Sequence, residues 1–285
     1  MENIVSTSYG FSQPPVFQQN KKGFKNQSFF VSSGSKRYVF VPIANPYFLK
    51  ALKILRQRGF KTPELIQTTD KKEYVEVGGK KWCLLSYLPG KPVQRNKISR
   101  AQVFQIARTV ALFHKTFEEK VRPSQAFFAP RFPENCPEEI QKEVGALVAN
   151  FKRQATGMKS TLIHGDLVLE NILFSKGNLS GLIDFEHLRY GPAIYDLAAV
   201  LTEIPPSLHA DFIEQYTRLN PLSSTDIGLI KPMTRYYTLL YALFGMEALP
   251  KVTRGQKKRL LEKLKSKGLE KRGLLRNAQK RRRSR

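Results

Sequence analysis

Two apolar segments that carry acidic and amide side chains constrain this chain more than any other feature. Residues 164–174 read HGDLVLENILF, and GLIDFEH follows at residues 181–187. A carboxylate is costly to bury unless it is paired or binds a metal. The presence of Asp166, Asn171 and Asp184 in otherwise strand-like sequence therefore indicates a functional site.

The bulk composition is that of a folded chain with one or two domains. With 285 residues and 41% hydrophobic content, the chain can enclose a core and a site. Its two cysteines, Cys83 and Cys136, are far apart and predict neither a disulfide framework nor a zinc site. No apolar run is long enough to span a bilayer, and the start, MENIVSTSYG, lacks the blocks of a secretory signal, so a cytoplasmic location is expected.

The net charge of +25 is concentrated at the two ends of the chain. Residues 1–63 carry ten Lys/Arg against one acid, and residues 255–285 carry fourteen against two. Such ends could bind an anionic surface, either a membrane, giving a membrane-peripheral location, or RNA. The alternative is a partly docked terminal helix that only aids solubility. No obligate protein partner is indicated.

Element patterns divide the chain into a sheet region and a helical region. Residues 24–43 predict two strands around SSGSK, a helix with Leu49, Leu52 and Leu55 ends at Gly59, and strands follow near 73–77 and 82–88. Helices are predicted from the cap Ser99 onward and near 138–155, 193–202, 207–218, 225–245 and 256–267. We expect an α+β chain with an N-terminal β-rich lobe at 1–88, a helical lobe at 89–250 and a basic tail at 251–285.

The stretch NILFSKGNLSGLID predicts a hairpin whose loop is Gly177-Asn178. In that register Asn171 faces Asp184, and cross-strand partners lie ~5 Å apart at Cβ. An amide oxygen beside a carboxylate suits Mg²⁺, although a bulge would shift the register. Asp166, five residues before Asn171, could orient a hydroxyl nucleophile and accept its proton, as phosphoryl transfer requires.

HGDLVLEN has the spacing of the protein kinase catalytic loop, with Gly165 in place of arginine, and IDFE stands where kinases have DFG. Together with GLIDFEHLRYGPAIYDLAAVL, it resembles the aminoglycoside phosphotransferase and choline kinase group of small-molecule kinases, which includes homoserine kinase-like and fructosamine kinase-like enzymes. The resemblance implies a protein kinase-like fold with a small antiparallel sheet lobe and a larger helical lobe. In kinases that arginine commonly reads activation-loop phosphorylation, so Gly165 suggests activity without this switch.

The resemblance also implies roles for individual residues. Asp166 would be the catalytic base, and Asn171 and Asp184 the metal ligands. His164 would support the catalytic loop, and Asp196 in YDLA would brace it from a helix. WCLLSYLPGKPV is similar to the hinge between lobes, where the backbone of Ser86, Tyr87 and Leu88 would meet adenine.

One part of the family pattern is missing. Family members usually have a strand Lys or Arg that grips the phosphates and a helix Glu that pairs with it. The strand here is apolar near Val41, and no Asp or Glu occurs between Glu2 and Glu64. Two interpretations follow. In the first, a lysine from the set Lys25, Lys36 and Lys50 reaches the phosphates without an acidic partner. In the second, the chain is a pseudokinase or nucleotide-binding module whose basic ends attach to RNA or an anionic membrane.

We expect an ATP-dependent kinase that phosphorylates a hydroxyl of a small molecule with Mg²⁺; GTP is left open. Sugars, amino alcohols, amino acids and aminoglycoside-like compounds are the candidate acceptors. The acids available for an acceptor pocket after residue 193 are Glu203, Asp211, Glu214, Asp226 and Glu247. This supply is modest, so a polycationic aminoglycoside is less favoured than a sugar, amino alcohol or amino acid.

Overall fold

The computed structural model describes residues 1–20, 28–43, 45–118, 125–134 and 136–248, with residues 258 and 262. Contacts divide the chain into two compact units. The first comprises Met1–Gln94 and His164–Arg189, and the second comprises Arg95–Ile163 and Tyr190–Arg285. The first unit therefore combines the N-terminal sheet with the HGD and DFE segments. The boundaries of the lobes and tail derived from the sequence stay predictions.

The first unit is built mainly from short antiparallel strands and two helices. Its described elements are α1 (Glu2–Tyr9), β1 (Val16–Gln19), β2 (Phe29–Ser33), β3 (Lys36–Pro42), α2 (Phe48–Gln57), β4 (Leu65–Ile66), β5 (Val75–Val77), β6 (Lys80–Ser86), β7 (Lys91–Pro92), β9 (Ile172–Ser175) and β10 (Asn178–Leu182). The main sheet has the order β1-β2-β3-β6-β4, and β5 also pairs with β6. A second sheet has the order β10-β9-β7.

Helix α1, which the sequence patterns did not predict, packs on the main sheet. Its residues Val5 and Tyr9 join a buried cluster with Phe40 and Trp82, whose rings stack with centroids 5.0 Å apart. This cluster explains why the strands of the first unit are rich in aromatic residues, because large apolar rings bury much surface per residue. The start of the chain is thus part of the core of the first unit.

The second unit is mainly helical. Its described elements are α3 (Arg100–Thr116), α4 (Glu138–Gln154), β8 (Ser160–Ile163), β11 (Arg189–Pro192, which begins on the last residue of the first unit), α5 (Ile194–Leu201), α6 (His209–Leu219) and α7 (Ser224–Ala248). Helix α3 packs on α6, and α7 packs on α4 and α5. Strand β8 pairs with β11.

Several local predictions are confirmed, together with the α+β class. The β2–β3 hairpin turns at Gly34-Ser35, because Ser33 pairs with Lys36. Helix α3 begins with the Ser99 cap, and Gln102 completes a capping box. Gly59 adopts φ +78° just after α2, as a helix stop requires. The helix predicted at 256–267 lies almost wholly outside the described residues, as does most of the basic tail. Among the described helices, none is both long and apolar enough to cross a membrane.

Candidate active site

The catalytic-loop segment brings Asp166 and Asn171 together. Asn171 is buried, and its Nδ2 donates to the Asp166 carbonyl oxygen at 2.8 Å and to Asp166 Oδ2 at 3.1 Å. One amide therefore orients both the main chain and the carboxylate of Asp166. With Nδ2 engaged in this way, Oδ1 is the Asn171 atom that would meet a cation.

The hairpin after Asn171 forms, but its predicted register is wrong. The turn is Lys176-Gly177, both with positive φ (49° and 78°), and not Gly177-Asn178, which leaves Asn178 paired with Ser175. A bulge between Leu179 and Gly181 then shifts the pairing by one residue, so Leu182 pairs with Ile172.

At the open end of the hairpin, Asn171 therefore faces Ile183, not Asp184. The Ile183 N–H donates to the Asn171 carbonyl oxygen at 3.0 Å. Asp184 lies one residue past the end of the pairing. The predicted face-to-face placement of Asn171 and Asp184 is thus corrected by one residue.

Asp184 has a left-handed backbone, with φ 66° and ψ 58°, which is uncommon for a residue with a side chain. By its solvent-accessible surface, Asp184 is an exposed residue. Nevertheless the pKa of its carboxyl group is raised, mainly because the surrounding protein reduces the hydration of that group. The nearby carboxylates of Glu186 and Asp166 raise this pKa further, whereas His164 and His187 lower it. Asp184 and Asp166 therefore interact electrostatically, and a divalent cation bound there would relieve the repulsion.

Two side chains hold the carbonyl groups on either side of Asp184. His164 is fully buried, its Nε2 lies 3.0 Å from the Ile183 carbonyl oxygen, and its ring centroid lies 4.9 Å from that of Phe185. Asn45 Nδ2 lies 2.9 Å from the Glu186 carbonyl oxygen and 3.3 Å from that of Phe185. His164 was predicted as structural support, but Asn45 was not predicted at all. Asn-Pro before a helix signals only a turn, so local sequence could not reveal the second contact.

Gly165 has a steric reason for replacing the kinase arginine. Its φ is +82°, and a Cβ atom there would lie 2.3 Å from the His187 carbonyl oxygen and 2.9 Å from an Arg189 guanidinium nitrogen. Real Cβ atoms essentially never approach a carbonyl oxygen this closely. The close packing of loop 164–166 against His187 therefore requires glycine.

The predicted hinge continues from strand β6. The Ser86 N–H donates to the Glu64 carbonyl oxygen at 2.8 Å, and the Tyr87 N–H donates to the Arg37 carbonyl oxygen at 3.0 Å. The Arg37 guanidinium also lies 4.0 Å from the centre of the Tyr87 ring. These two N–H groups are thus engaged within the protein, and the contact of Ser86, Tyr87 and Leu88 with adenine stays a prediction.

Of the three lysines predicted as phosphate contacts, Lys36 and Lys50 are not brought to the Asp166–Asn171 pair by any contact of the described residues. Lys36 is exposed beside the β2–β3 turn, and Lys50 is exposed on α2. Lys25 lies outside the described residues. Val41, near which the family's lysine was expected, pairs with Cys83 on β6.

Asp196 belongs to a buried network within the second unit. Its Oδ2 lies 3.1 Å from His114 Nε2, and His114 Nδ1 lies 2.9 Å from the Tyr216 hydroxyl. Asn220 Nδ2 donates to that hydroxyl at 2.9 Å. The chain of contacts is satisfied when Tyr216 donates to Nδ1 and Nε2–H donates to Asp196. The predicted bracing of the catalytic loop by Asp196 stays a prediction.

The donor set fits a magnesium ion bound together with a nucleotide. Across the described ranges, no group of three or more His, Cys, Asp or Glu side chains is arranged to hold a metal by itself. Mg²⁺ is commonly held by one or two carboxylates with substrate phosphates completing its shell. The carboxylate of Asp184 and the amide oxygen of Asn171 have the oxygen chemistry for that arrangement.

Comparison with known proteins identifies the family. A family model of phosphotransferase enzymes matches residues 16–223, a range that contains the Asp166–Asn171 pair and Asp184. The chain belongs to the phosphotransferase enzyme family.

Two solved structures share its protein kinase-like fold. The amicoumacin kinase hAmiN, in complex with AMP-PNP, Ca²⁺ and Ami, has a TM-score of 0.68 and 14% identity, covering 93% of this chain and 91% of that one. A microcompartment-associated aminopropanol kinase has a TM-score of 0.67 and 15% identity, covering 97% of each chain.

A homoserine kinase of Pseudomonas aeruginosa is similar in sequence. It is 26% identical over 205 residues, which cover 66% of this chain and 64% of the relative. The chain thus spans less than two thirds of the length of that relative.

Proposed function

We propose that this family member transfers the γ-phosphate of ATP to a hydroxyl group of a small molecule that also carries an amine. The observation that carries the proposal is the hydrogen-bonded pair of Asp166 and Asn171, with the Asp184 carboxylate close enough to interact with Asp166. A base and two oxygen ligands in one cluster are the parts that phosphoryl transfer requires.

In this proposal each residue has a defined task. The Asp166 carboxylate, oriented by Asn171, accepts the proton of the acceptor hydroxyl as its oxygen forms the new bond to phosphorus and ADP leaves. Asn171 Oδ1 and the Asp184 carboxylate hold Mg²⁺, which when bound neutralises phosphate charge. Leu88 contacts adenine through its backbone. Lys25, Lys36 and Lys50 remain the proposed phosphate contacts.

The contacts made by acids of the second unit support the proposed acceptor class. Of the five acids considered for the acceptor, Asp211 binds Arg100 at 2.6 Å and Glu214 binds Arg218 at 2.5 Å. Asp226 is buried and accepts from Ser223 and from the Lys159 N–H. Glu203 and Glu247 also take part in interactions within the protein, so all five acids have partners, which disfavours a polycationic acceptor. A monoamine needs a single carboxylate, and relatives named as homoserine and aminopropanol kinases are consistent with this class.

The binding-module alternative rests on charge alone. Two basic ends would attach the chain to RNA or an anionic membrane. The C-terminal one lies largely outside the described residues. Within the described part, the feature that needs explanation is the cluster of Asp166, Asn171 and Asp184. An enzyme accounts for it, whereas an inert binding module does not.

A labelled-ATP assay tests the proposal. The full chain is incubated with γ-labelled ATP, Mg²⁺ and single acceptors: homoserine, aminopropanol, ethanolamine, choline and a neutral sugar. Asp166→Asn is the inactive comparison. Label transfer to an amine-bearing acceptor by the wild type alone is expected. Transfer to no acceptor, or equal transfer by both proteins, would overturn the proposal.

A further inference from the structure

The segment that contains Asp184 is attached to the start of helix α2 through Asn45. Asn45 Nδ2 lies 2.9 Å from the Glu186 carbonyl oxygen and 3.3 Å from that of Phe185, both within the first unit. These carbonyls belong to the two residues that follow Asp184. Asn45 is separated from them by about 140 residues of chain, so the link is tertiary.

The Asn45 side chain is held in place by backbone groups at the start of α2. Asn45 Oδ1 accepts from the Tyr47 N–H at 3.0 Å, and the Phe48 N–H donates to the Asn45 carbonyl oxygen at 3.4 Å. This Asx turn orients the amide, so Nδ2 is presented with little freedom left to lose. Oxygen and nitrogen of one amide thus have separate tasks: the oxygen shapes the turn, and the nitrogen reaches the Asp184 segment.

The Asp184 segment has a conformation that needs such support. Asp184 is left-handed at φ 66°, a state that is unfavourable for a residue with a side chain and persists only when its surroundings determine it. His164 contacts the carbonyl before Asp184, and Asn45 contacts the two carbonyls after it. The backbone is therefore held on both sides of the residue.

We infer that Asn45 is a positioning residue for the proposed metal ligand Asp184, because its neutral amide links the start of α2 to the backbone that follows Asp184. No acidic residue occurs between Glu2 and Glu64, so α2 has no carboxylate that could form an ionic connection of that kind. An amide that donates to main-chain carbonyls needs no ionic partner. The inference rests on the proposed function for the role of Asp184, and its test uses measurements that do not depend on catalysis.

The test uses Asn45→Ser, which keeps an oxygen that can accept from the Tyr47 N–H but lacks an amide that can reach the carbonyls of Phe185 and Glu186. Asn45→Ala removes both functions. Asn178→Ser, at an exposed hairpin position, is the matched control. If Asn45→Ser does not fold, Asn45→Thr replaces it, since threonine also retains a hydroxyl acceptor. Thermal unfolding checks the folding of every variant.

Two readouts are taken on the full chain with the same concentration of a non-hydrolysable ATP analogue in every sample, because nucleotide phosphates complete the shell of the cation. Binding of Mn²⁺, as a probe for the oxygen site, is measured from the electron paramagnetic resonance signal of the free ion. Hydrogen exchange is measured on the amides of residues 184–188. We expect Asn45→Ser and Asn45→Ala both to weaken Mn²⁺ binding about tenfold or more and to speed exchange in this segment, with Asn178→Ser unchanged.

The inference is overturned if Asn45→Ser binds Mn²⁺ and exchanges like the wild type, even when Asn45→Ala does not, because only the turn would then matter. Equal effects of Asn178→Ser would overturn it as well. If the wild type transfers no phosphate to any acceptor, the proposed function fails, yet the Mn²⁺ and exchange data still decide the role of Asn45.

Discussion

Asn171 donates one side-chain amide to two oxygens of Asp166, the carbonyl at 2.8 Å and Oδ2 at 3.1 Å. This relationship couples the proposed metal ligand to the proposed base. Because both contacts come from the same nitrogen, a shift of Asn171 would move the Asp166 main chain and carboxylate together.

Asp166→Asn is expected to lower kcat/KM for the acceptor by about 10²–10⁴-fold, because an amide cannot accept the hydroxyl proton. Nucleotide affinity should change little, since the proposed metal ligands are retained. Steady-state kinetics and a nucleotide-binding titration measure the two quantities. Loss of nucleotide binding in parallel with activity would instead indicate collapse of the loop.

Gly165→Ala is expected to destabilise the protein by more than Gly177→Ala. Both glycines have similar φ, +82° and +78°, but a Cβ atom at Gly165 would lie 2.3 Å from the His187 carbonyl oxygen, whereas nothing lies within 4 Å at Gly177. The left-handed backbone costs each variant about 1–2 kcal/mol, and overpacking adds roughly 1–3 kcal/mol at position 165 alone. Urea unfolding of the two variants provides the comparison. Equal losses would show that loop 164–166 moves away from His187 without cost.

The unfolding free energy is expected to fall between pH 9 and pH 12, in part through Cys83 and Tyr9. Burial raises the pKa of the Cys83 thiol from 9.0 to about 12 and that of the Tyr9 hydroxyl from 10.0 to about 12. Above pH 9 the unfolded chain therefore loses protons that the folded chain keeps, which favours unfolding. Each group can contribute up to about tenfold in the unfolding equilibrium per pH unit.

Lysines also titrate in this range, so the measurement is a comparison of slopes. Cys83→Ala should show a shallower fall with pH than the wild type, whatever its stability at pH 7. A parallel pH profile for Cys83→Ala would contradict the assignment. Burial also raises the pKa of the Cys136 thiol, so the pH profile of Cys136→Ala is measured as well.

Tyr216→Phe is expected to cost about 1–3 kcal/mol of unfolding free energy. The variant removes the hydroxyl that joins His114 Nδ1 to Asn220 Nδ2 in the second unit, so two buried polar groups lose their partner. Tyr47→Phe, at an exposed position, is the control and should change stability little. Thermal or urea unfolding measures both. A neutral Tyr216→Phe would indicate that His114 and Asn220 find other partners.

Sequence reasoning succeeded where the signal was local. The Ser99 capping box, the helix end at Gly59 and the turn after Ser33 all depend on residues within a few positions of one another. The spacing of Asp166 and Asn171 likewise predicted that they would act together, and a hydrogen bond joins them. Helix α1 was missed because its eight residues are stabilised mainly by burial of Val5 and Tyr9 against the sheet.

The sequence by itself determined the family and the α+β class, and it pointed to Asp166, Asn171 and Asp184 as the candidate site residues. Only the tertiary structure decided where Asp184 lies relative to Asn171. That register depends on a bulge ending at Gly181, where a Cβ atom would lie 2.1 Å from the Lys61 carbonyl oxygen. Turn and alternation patterns describe neighbours along the chain, whereas this contact, like that of Asn45, joins segments more than 100 residues apart.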